Sequence, residues 1–331
     1  MLFGFTLAVI TGFLFTAVRN WTGQQTPTGA LLAAYAALWL AGRILVLTPF
    51  AAAAAVVNVG FPLAVAGGIA VPLVRGGNAR NFFFIALLAA FAAAALAFHL
   101  FMLAVIDWPA RASLRAGLDV VLFVVVVIGG RVIPMFTNNG VPGAGAERSL
   151  WIERIALASV LLVLAADVAR APDALVALVA GVATLAHAAR FCLWRPWRTL
   201  RAPLVWILHA SYAWIVVHLA LRVLAFAGVI ADYFAIHALT VGAIGGMTLG
   251  MMTRTARGHS GRTLEAGRAE VACFALVMIA AIVRVFGGIA VPKLYVATLL
   301  VSAACWSAAF ATYAIAYWPV LTRPRADGKP G

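Results

Sequence analysis

Long apolar runs separated by short polar stretches make up most of this chain. Because a membrane-spanning helix needs roughly 20 mainly apolar residues, each long run predicts one such helix. Eleven segments qualify, at about residues 1–18, 29–48, 50–74, 81–106, 115–136, 151–169, 173–194, 202–227, 232–253, 267–288 and 291–319. No segment of strands and no soluble domain remains between them. The predicted fold class is therefore all-α, a polytopic transmembrane helix bundle that forms a single domain over residues 1–331.

The ninth segment and its polar exit, residues 237–262, carry the most distinctive pattern. Small residues recur there at a spacing of four, as Ala238, Gly242, Gly246 and Gly250. This spacing puts them on one helical face, where a neighbouring backbone can come close in lipid. At 100° per residue, the adjacent stripe consists of His237, Ile244, Thr248, Met251 and Thr255. One helix is thus predicted to carry both a packing face and a ligand face.

Composition agrees with a membrane protein. The chain is 65% hydrophobic and 10% charged, with a mean hydropathy of +1.05, so its polar surface is too scarce to cover a soluble globule. The net charge of +14 comes from basic residues spread in ones and twos between apolar runs. This spread indicates topology and headgroup anchors rather than a nucleic-acid-binding face. The three cysteines are isolated, so they indicate neither a disulfide framework nor a thiolate metal site.

The distribution of basic residues predicts the orientation of the bundle. Of the 24 lysines and arginines, 17 fall on the side reached after the odd-numbered segments and 7 on the other. The richer side should be cytoplasmic, which places the C-terminus in the cytoplasm and Met1 outside. An uncleaved start outside is unusual, so we expect one further helix before the first segment.

A weak internal repeat with a period near 117 residues agrees with that expectation. Similar Gly- and Thr-containing runs begin at Gly12, Gly129 and Gly246, and each leaves the membrane on the inner side. Three four-helix units would need twelve helices, with the first absent here. Chance similarity is the competing explanation, because the runs match mostly at glycine and threonine.

Six histidines are the main candidates for a cofactor site, because imidazole is the usual haem and copper ligand in a chain without useful thiolates. By depth, His99, His218 and His237 fall in the outer half of the membrane, His187 and His209 in the inner half, and His259 in the inner loop. A single intramembrane histidine is more often a satisfied hydrogen-bonding residue than a ligand, but several at one depth favour a site. His209 and His218 are nine residues apart and face opposite ways on a straight helix, so they cannot bind one metal.

Arginines near the outer helix ends extend this hypothesis. Buried cations need anionic partners, carboxylates are few at this level, and haem propionates match guanidinium geometry well. The alternative is that each arginine reaches the outer headgroups by snorkelling. The predicted cofactor-binding residues are His99, His209, His218, His237, Arg43, Arg222 and Arg284.

Several stretches together resemble the NnrS family of bacterial inner-membrane proteins. They are MLFGFTLAVITGFLFTAVRNWTG, WLAGR, GGRVIPMFTNNG, LHASYAW and HALTVGAIGGMTLGMMTRTARGHSGR, at residues 1–23, 39–43, 129–140, 208–214 and 237–262. The resemblance runs nearly end to end. It implies a twelve-helix protein that contains haem and copper and is linked to nitric oxide and nitrosative stress. The family pattern also has a further helix with a WHxHE-like stretch before the position of Met1. The histidines that match the family by position are His209, His237 and His259, and these are the expected metal ligands.

The sequence thus favours a haem-binding protein of the nitric oxide response, multi-pass in the bacterial inner membrane, with copper as a second cofactor implied by the resemblance. The alternative is a transporter or channel for a metal or a metal-nitrosyl species, which the many helices and the glycine-rich ninth segment would suit. A structural partner in a respiratory assembly is a third hypothesis. The expected partners are the lipid bilayer and nitric oxide or a metal-nitrosyl species, with no nucleic acid. No nucleophile triad, carboxylate pair or nucleotide-binding loop is present, so no catalytic residue is identified and the question of enzymatic activity stays open.

Overall fold

The chain folds into helices, and the computed structural model describes residues 2–328. In order, the helices are α1 (Leu2–Thr22), α2 (Gly29–Leu45), α3 (Ala51–Arg75), α4 (Phe83–Met102), α5 (Ala110–Gly140), α6 (Leu150–Val168), α7 (Asp173–Leu193), α8 (Pro203–Phe226), α9 (Tyr233–His259), α10 (Arg268–Ala290) and α11 (Tyr295–Thr322). Short 3₁₀ turns precede α4, α8 and α11. Met1, which begins the first predicted segment, and Lys329, which entered the charge count, lie outside the described residues.

The all-α fold class and the eleven helices predicted from the sequence are confirmed over residues 2–328. Nine of these helices are long and apolar enough to cross a membrane. Of the other two, α2 has only 17 residues, and α6 carries three charged side chains, Glu153, Arg154 and Asp167. The chain is therefore a multi-pass membrane protein, whereas the cytoplasmic position of its C-terminus stays a prediction.

The largest boundary error concerns α5. Its predicted span, residues 115–136, is too short, because the helix has 31 residues and continues through Pro134 to Gly140. Near the end of the helix, Thr137 is wholly buried, whereas Asn138 makes two hydrogen bonds with Ala146 in the following loop, at 2.8 and 2.9 Å.

The described residues fall into two compact units, whose boundaries lie within α5, within α6 and between α6 and α7. Unit one comprises residues 1–124 and 164–170, and unit two comprises residues 125–163 and 171–331. In unit one, α3 packs against α1, α2 and α4, and its inner face buries Val65, Ile69 and Leu73 completely. The single-domain assignment and the 117-residue repeat stay predictions.

In unit two, α8 packs against α7 on one side and α9 on the other. The small-residue face of α9 makes the second contact, as the spacing predicts. A Cβ atom on Gly242 would overlap Trp214, and one on Gly250 would lie 2.9 Å from Cγ2 of Ile207. Between them, Gly246 lies against Ser211. The glycines therefore let side chains of α8 pack directly against the backbone of α9, which confirms the packing face.

The spacing behind the predicted ligand stripe on α9 does not hold at His237, because the helix is not regular there. Residues Ala238–Gly245 form a π-helical segment, in which each hydrogen bond spans one more residue than in an α-helix. The phase of His237 relative to Thr248 and Thr255 is therefore shifted from the value that 100° per residue gives. A second π segment, Val283–Gly287, lies in α10, and a third, Leu2–Thr6, begins α1.

We expect Gly242→Ala to lower the free energy of unfolding by about 1–3 kcal/mol, because the added methyl group must displace Trp214 from a packed contact. The matched control is Gly12→Ala, where a Cβ atom meets nothing within 4 Å. This control should leave stability unchanged or raise it slightly, since alanine favours a helix. Thermal unfolding in one detergent compares the two variants, and equal midpoints would contradict the close contact of α8 and α9.

Candidate functional site

His237 and Arg284, two of the predicted site residues, are brought into direct contact in unit two. Nη2 of Arg284 donates a hydrogen bond to Nε2 of His237 at 2.7 Å. A guanidinium has only donors, so Nε2 acts as the acceptor and the imidazole is neutral, with its proton on Nδ1. Both side chains are half-buried.

Aromatic groups hold the other side of Arg284. Its Nη1 donates to the hydroxyl of Tyr295 at 3.2 Å, and its Cζ lies 5.6 Å from the centre of the Tyr295 ring. Tyr233 packs edge-on against both His237 and Tyr295, with ring centres 6.1 Å apart in each case. The hydrogen-bond partners of Arg284 are thus neutral, and they accept from two of its five N–H groups.

Two irregular helices create this contact. His237 directly precedes the π segment of α9, and Arg284 lies inside the π segment of α10. The helices approach closely at this level, because a Cβ atom on Gly288 would lie 2.8 Å from Cε1 of Phe234. Single π turns in α-helices occur frequently at functional sites. Two of them meeting at one histidine–arginine pair mark this position as the candidate site.

His209 is in a different environment, on the side of α8 that faces α5. It is 2% exposed, and its Nε2 lies 2.8 Å from Oγ1 of Thr137. That hydroxyl donates to the carbonyl of Ile133 at 2.8 Å, so it accepts the Nε2 proton and leaves Nδ1 as a lone pair. Nδ1 has no hydrogen-bond partner among the described residues.

Trp194 packs beside His209 with ring centres 6.4 Å apart, and it too has a buried polar atom without a hydrogen-bond partner. It is completely buried, and its Nε1 has no partner in the described chain. A buried polar group without a partner costs about 1–3 kcal/mol. This cluster therefore contains one unused acceptor and one unused donor, which is the pattern that an internal water molecule satisfies.

The strongest polar network in unit two was not predicted. Arg190 of α7 pairs edge-on with Glu153 of α6, through Nε at 2.8 Å and Nη2 at 2.6 Å. Its Nη1 donates to the Tyr212 hydroxyl at 3.0 Å, and this hydroxyl donates to Nδ1 of His187 at 2.5 Å. Nε2 of His187 then donates to the carbonyl of Ala156 at 3.1 Å. Every link has a partner, so His187 is a structural histidine.

The sequence carries a signal for this network. Glu153 and Arg190 are opposite charges within the apolar segments predicted at residues 151–169 and 173–194, and buried ions in a membrane need such a partner. Gly130, on α5, completes the arrangement, because a Cβ atom there would overlap the Arg190 guanidinium. Gly130, the second residue of GGRVIPMFTNNG, thus makes room for a buried ion pair.

The other predicted residues of unit two are His218, Arg222 and His259. His218 is buried and donates from Nδ1 to the carbonyl of Ala235 at 2.7 Å. His218 and His209 thus contact different helices, α9 and α5, which confirms that they face opposite ways. Arg222 is also buried. His259 is exposed at the opposite end of α9 from His237, roughly 30 Å away at 1.5 Å per residue, so these two histidines do not share a metal.

Arg43 and His99 belong to unit one. His99 lies on α4, close enough to Arg43 on α2 for the two to interact electrostatically. Arg43 donates from Nη2 to Oδ1 of Asn58. Across residues 2–328, no three histidine, cysteine, aspartate or glutamate side chains are grouped so that they could hold a metal ion.

A bundle of apolar helices with a histidine–arginine pair at two π segments defines a multi-pass membrane protein with a candidate intramembrane imidazole site. The chain matches the family described as NnrS protein over residues 1–325. It therefore belongs to the NnrS family, as its motifs indicate, and is a membrane protein of the nitric oxide response. No curated protein and no solved structure gave a significant match.

We expect Glu153→Met to lower the free energy of unfolding by about 3–5 kcal/mol, because it leaves the Arg190 charge buried without a partner. The double variant Glu153→Met/Arg190→Met should lose less than this single variant. The control is Glu147→Met, which breaks the exposed pair with Arg195 and should cost at most about 1 kcal/mol. Chemical unfolding in micelles measures all three, and a double variant less stable than Glu153→Met would exclude a charge-compensation role.

Proposed function

We propose that this protein binds haem within the bacterial inner membrane as part of the nitric oxide response, with His237 as an iron ligand. The observation that carries the proposal is the contact between His237 and Arg284 at two π segments. It combines a neutral imidazole with a cation that has no carboxylate partner among the described residues.

The residues present fit one face of a haem site. Nε2 of His237 carries a lone pair, and its present partner is a flexible arginine rather than a fixed backbone group. A guanidinium that turns away from Nε2 is available to a propionate, which it can bind through two parallel hydrogen bonds. Tyr295 and Tyr233 would limit the movement of both side chains, since they pack against the pair.

Bound haem would supply iron that coordinates nitric oxide. The chain itself would supply an apolar setting, which suits an apolar gas that partitions into bilayers. Arg284 would hold the negative charge of the cofactor, and Tyr295 would orient Arg284 through its hydroxyl and its ring. The roles of His99, His209, His218, Arg43 and Arg222 in haem binding stay predictions.

Copper fits the described residues less well. His209 offers an unused Nδ1, but no second histidine and no cysteine or acidic group joins it in a metal-binding cluster within residues 2–328. His259 is exposed and isolated from the other histidines. No copper chemistry is therefore derived from these residues.

The alternative of a transporter or channel has less support. A transport path through the membrane needs polar groups that can exchange partners along it. The ionic groups buried between α6 and α7, Glu153 and Arg190, are instead fixed to each other by two charge-assisted hydrogen bonds.

We expect purified protein to show a Soret absorption band that His237→Ala reduces at least severalfold, because the variant loses the iron ligand. The matched control is His259→Ala, which removes an exposed histidine from the far end of the same helix and should leave the band unchanged. Absorption spectra at equal protein concentration, with size-exclusion profiles as a check on folding, make the comparison. An unchanged Soret band in well-folded His237→Ala would remove His237 from the site.

A further inference from the structure

Arg43, in the last turn of α2, is a membrane arginine whose donors are only partly used. Its one side-chain hydrogen bond goes from Nη2 to Oδ1 of Asn58, and its Nε is buried without a partner in the described chain. Asn58 is neutral, and its amide nitrogen is already committed to the carbonyl of Ala54 at 2.8 Å. A partly buried cation without a counter-charge is costly in an apolar setting.

Arg190 in the same protein shows what a fully used guanidinium edge looks like. There, Nε and Nη2 bind the two carboxylate oxygens of Glu153 in parallel. In Arg43, the same edge has one amide oxygen at Nη2 and nothing at Nε. The two arginines thus differ in the use of Nε, which donates to a carboxylate oxygen in Arg190 and has no partner in Arg43 within the described chain.

The surroundings of Arg43 are shaped to admit the guanidinium. Gly4, in the π segment of α1, lies against it, since a Cβ atom there would be 2.7 Å from Nη1 and 3.0 Å from Cδ. Trp39 fixes this part of α1 by donating from Nε1 to the carbonyl of Gly4 at 3.0 Å. Gly42 makes similar room for Asn58, because a Cβ atom there would lie 3.2 Å from Oδ1. Three helices thus contribute to one enclosure.

No carboxylate forms an ion pair with Arg43 in the described part of unit one. A site with a guanidinium, an unused N–H on that guanidinium and no acidic partner favours an anion.

We propose that Arg43, with Asn58 beside it, binds an oxyanion edge-on through the guanidinium. The ligand has at least two oxygens on one centre, because Nε and Nη2 present two parallel donors. Two sources offer this chemistry, the phosphate of a phospholipid and a small free anion such as nitrite. The proposal uses neither His237 nor Arg284, so it does not rest on the haem proposal.

Thermal unfolding of the full chain in phosphate-free maltoside micelles, followed by tryptophan fluorescence, tests the proposal without reference to haem. One arm adds sodium nitrite, against sodium chloride at equal ionic strength. The other arm adds phosphatidylglycerol, against a diacylglycerol that has no phosphate. The variant is Arg43→Gln, and the control is Arg75→Gln, which removes an exposed arginine at the end of α3.

We expect the wild-type midpoint to rise by roughly 3 °C in one arm, since a ligand that binds only the folded state stabilises it. The rise should persist in Arg75→Gln and disappear in Arg43→Gln. A rise with nitrite identifies a free oxyanion, and a rise with phosphatidylglycerol identifies a lipid phosphate. The proposal is overturned when the wild type responds in neither arm, or when Arg43→Gln responds as the wild type does.

Two further variants keep the test decisive when Arg43→Gln does not fold. Arg43→Lys keeps the charge but lacks the paired donors, so it should show less than half of the wild-type rise. Asn58→Ala removes the amide from Nη2 and frees both donors, so its rise should exceed that of the wild type. A full response in Arg43→Lys, or no gain in Asn58→Ala, would contradict edge-on binding.

Discussion

The close contact between α8 and α9 is the constraint on which the candidate site depends. Lipid offers helices no hydrophobic reason to associate, so they hold together by tight packing and by polar groups that find partners. Tight packing comes from the glycines at positions 242, 246 and 250, because only a residue without a side chain fits against Trp214, Ser211 and Ile207. This contact fixes the middle of α9 and so sets the position from which its outer end reaches α10.

The buried ion pair between Glu153 and Arg190 provides the second kind of attachment. It joins α6 to α7, and Tyr212 links it to α8, so the helix that packs against the glycines is itself tied to two others. The buried and half-buried arginines also differ in the partners that their guanidinium groups have. Arg190 is fully paired, Arg284 has neutral partners, and Arg43 has an unused donor, so only the first is explained by folding alone.

Much of the fold was predictable from the sequence, because long apolar runs in lipid have few alternatives to helices. The packing face of α9 was predictable for the same reason, since the spacing of four is a local property. The contact between His237 and Arg284 was not, because it joins residues 47 positions apart and depends on two π segments. Such segments arise from tertiary packing and leave no periodic signal. Glu153 and Arg190 lie on different helices, 37 positions apart, so their pairing also depends on tertiary packing.

The π segment of α9 also separates two demands that a regular helix would combine. In a continuous α-helix, the direction of His237 follows from the direction of the glycines, because each residue is rotated from the one before it by the same 100°. An inserted residue breaks that dependence. The glycine face of α9 can then be held against α8, while the N-terminal turn of the same helix points His237 in a different direction. The segment thus lets the direction of His237 differ from the one that the glycines alone would give, and a deletion between Ala238 and Val241 would turn the imidazole relative to Gly242, Gly246 and Gly250.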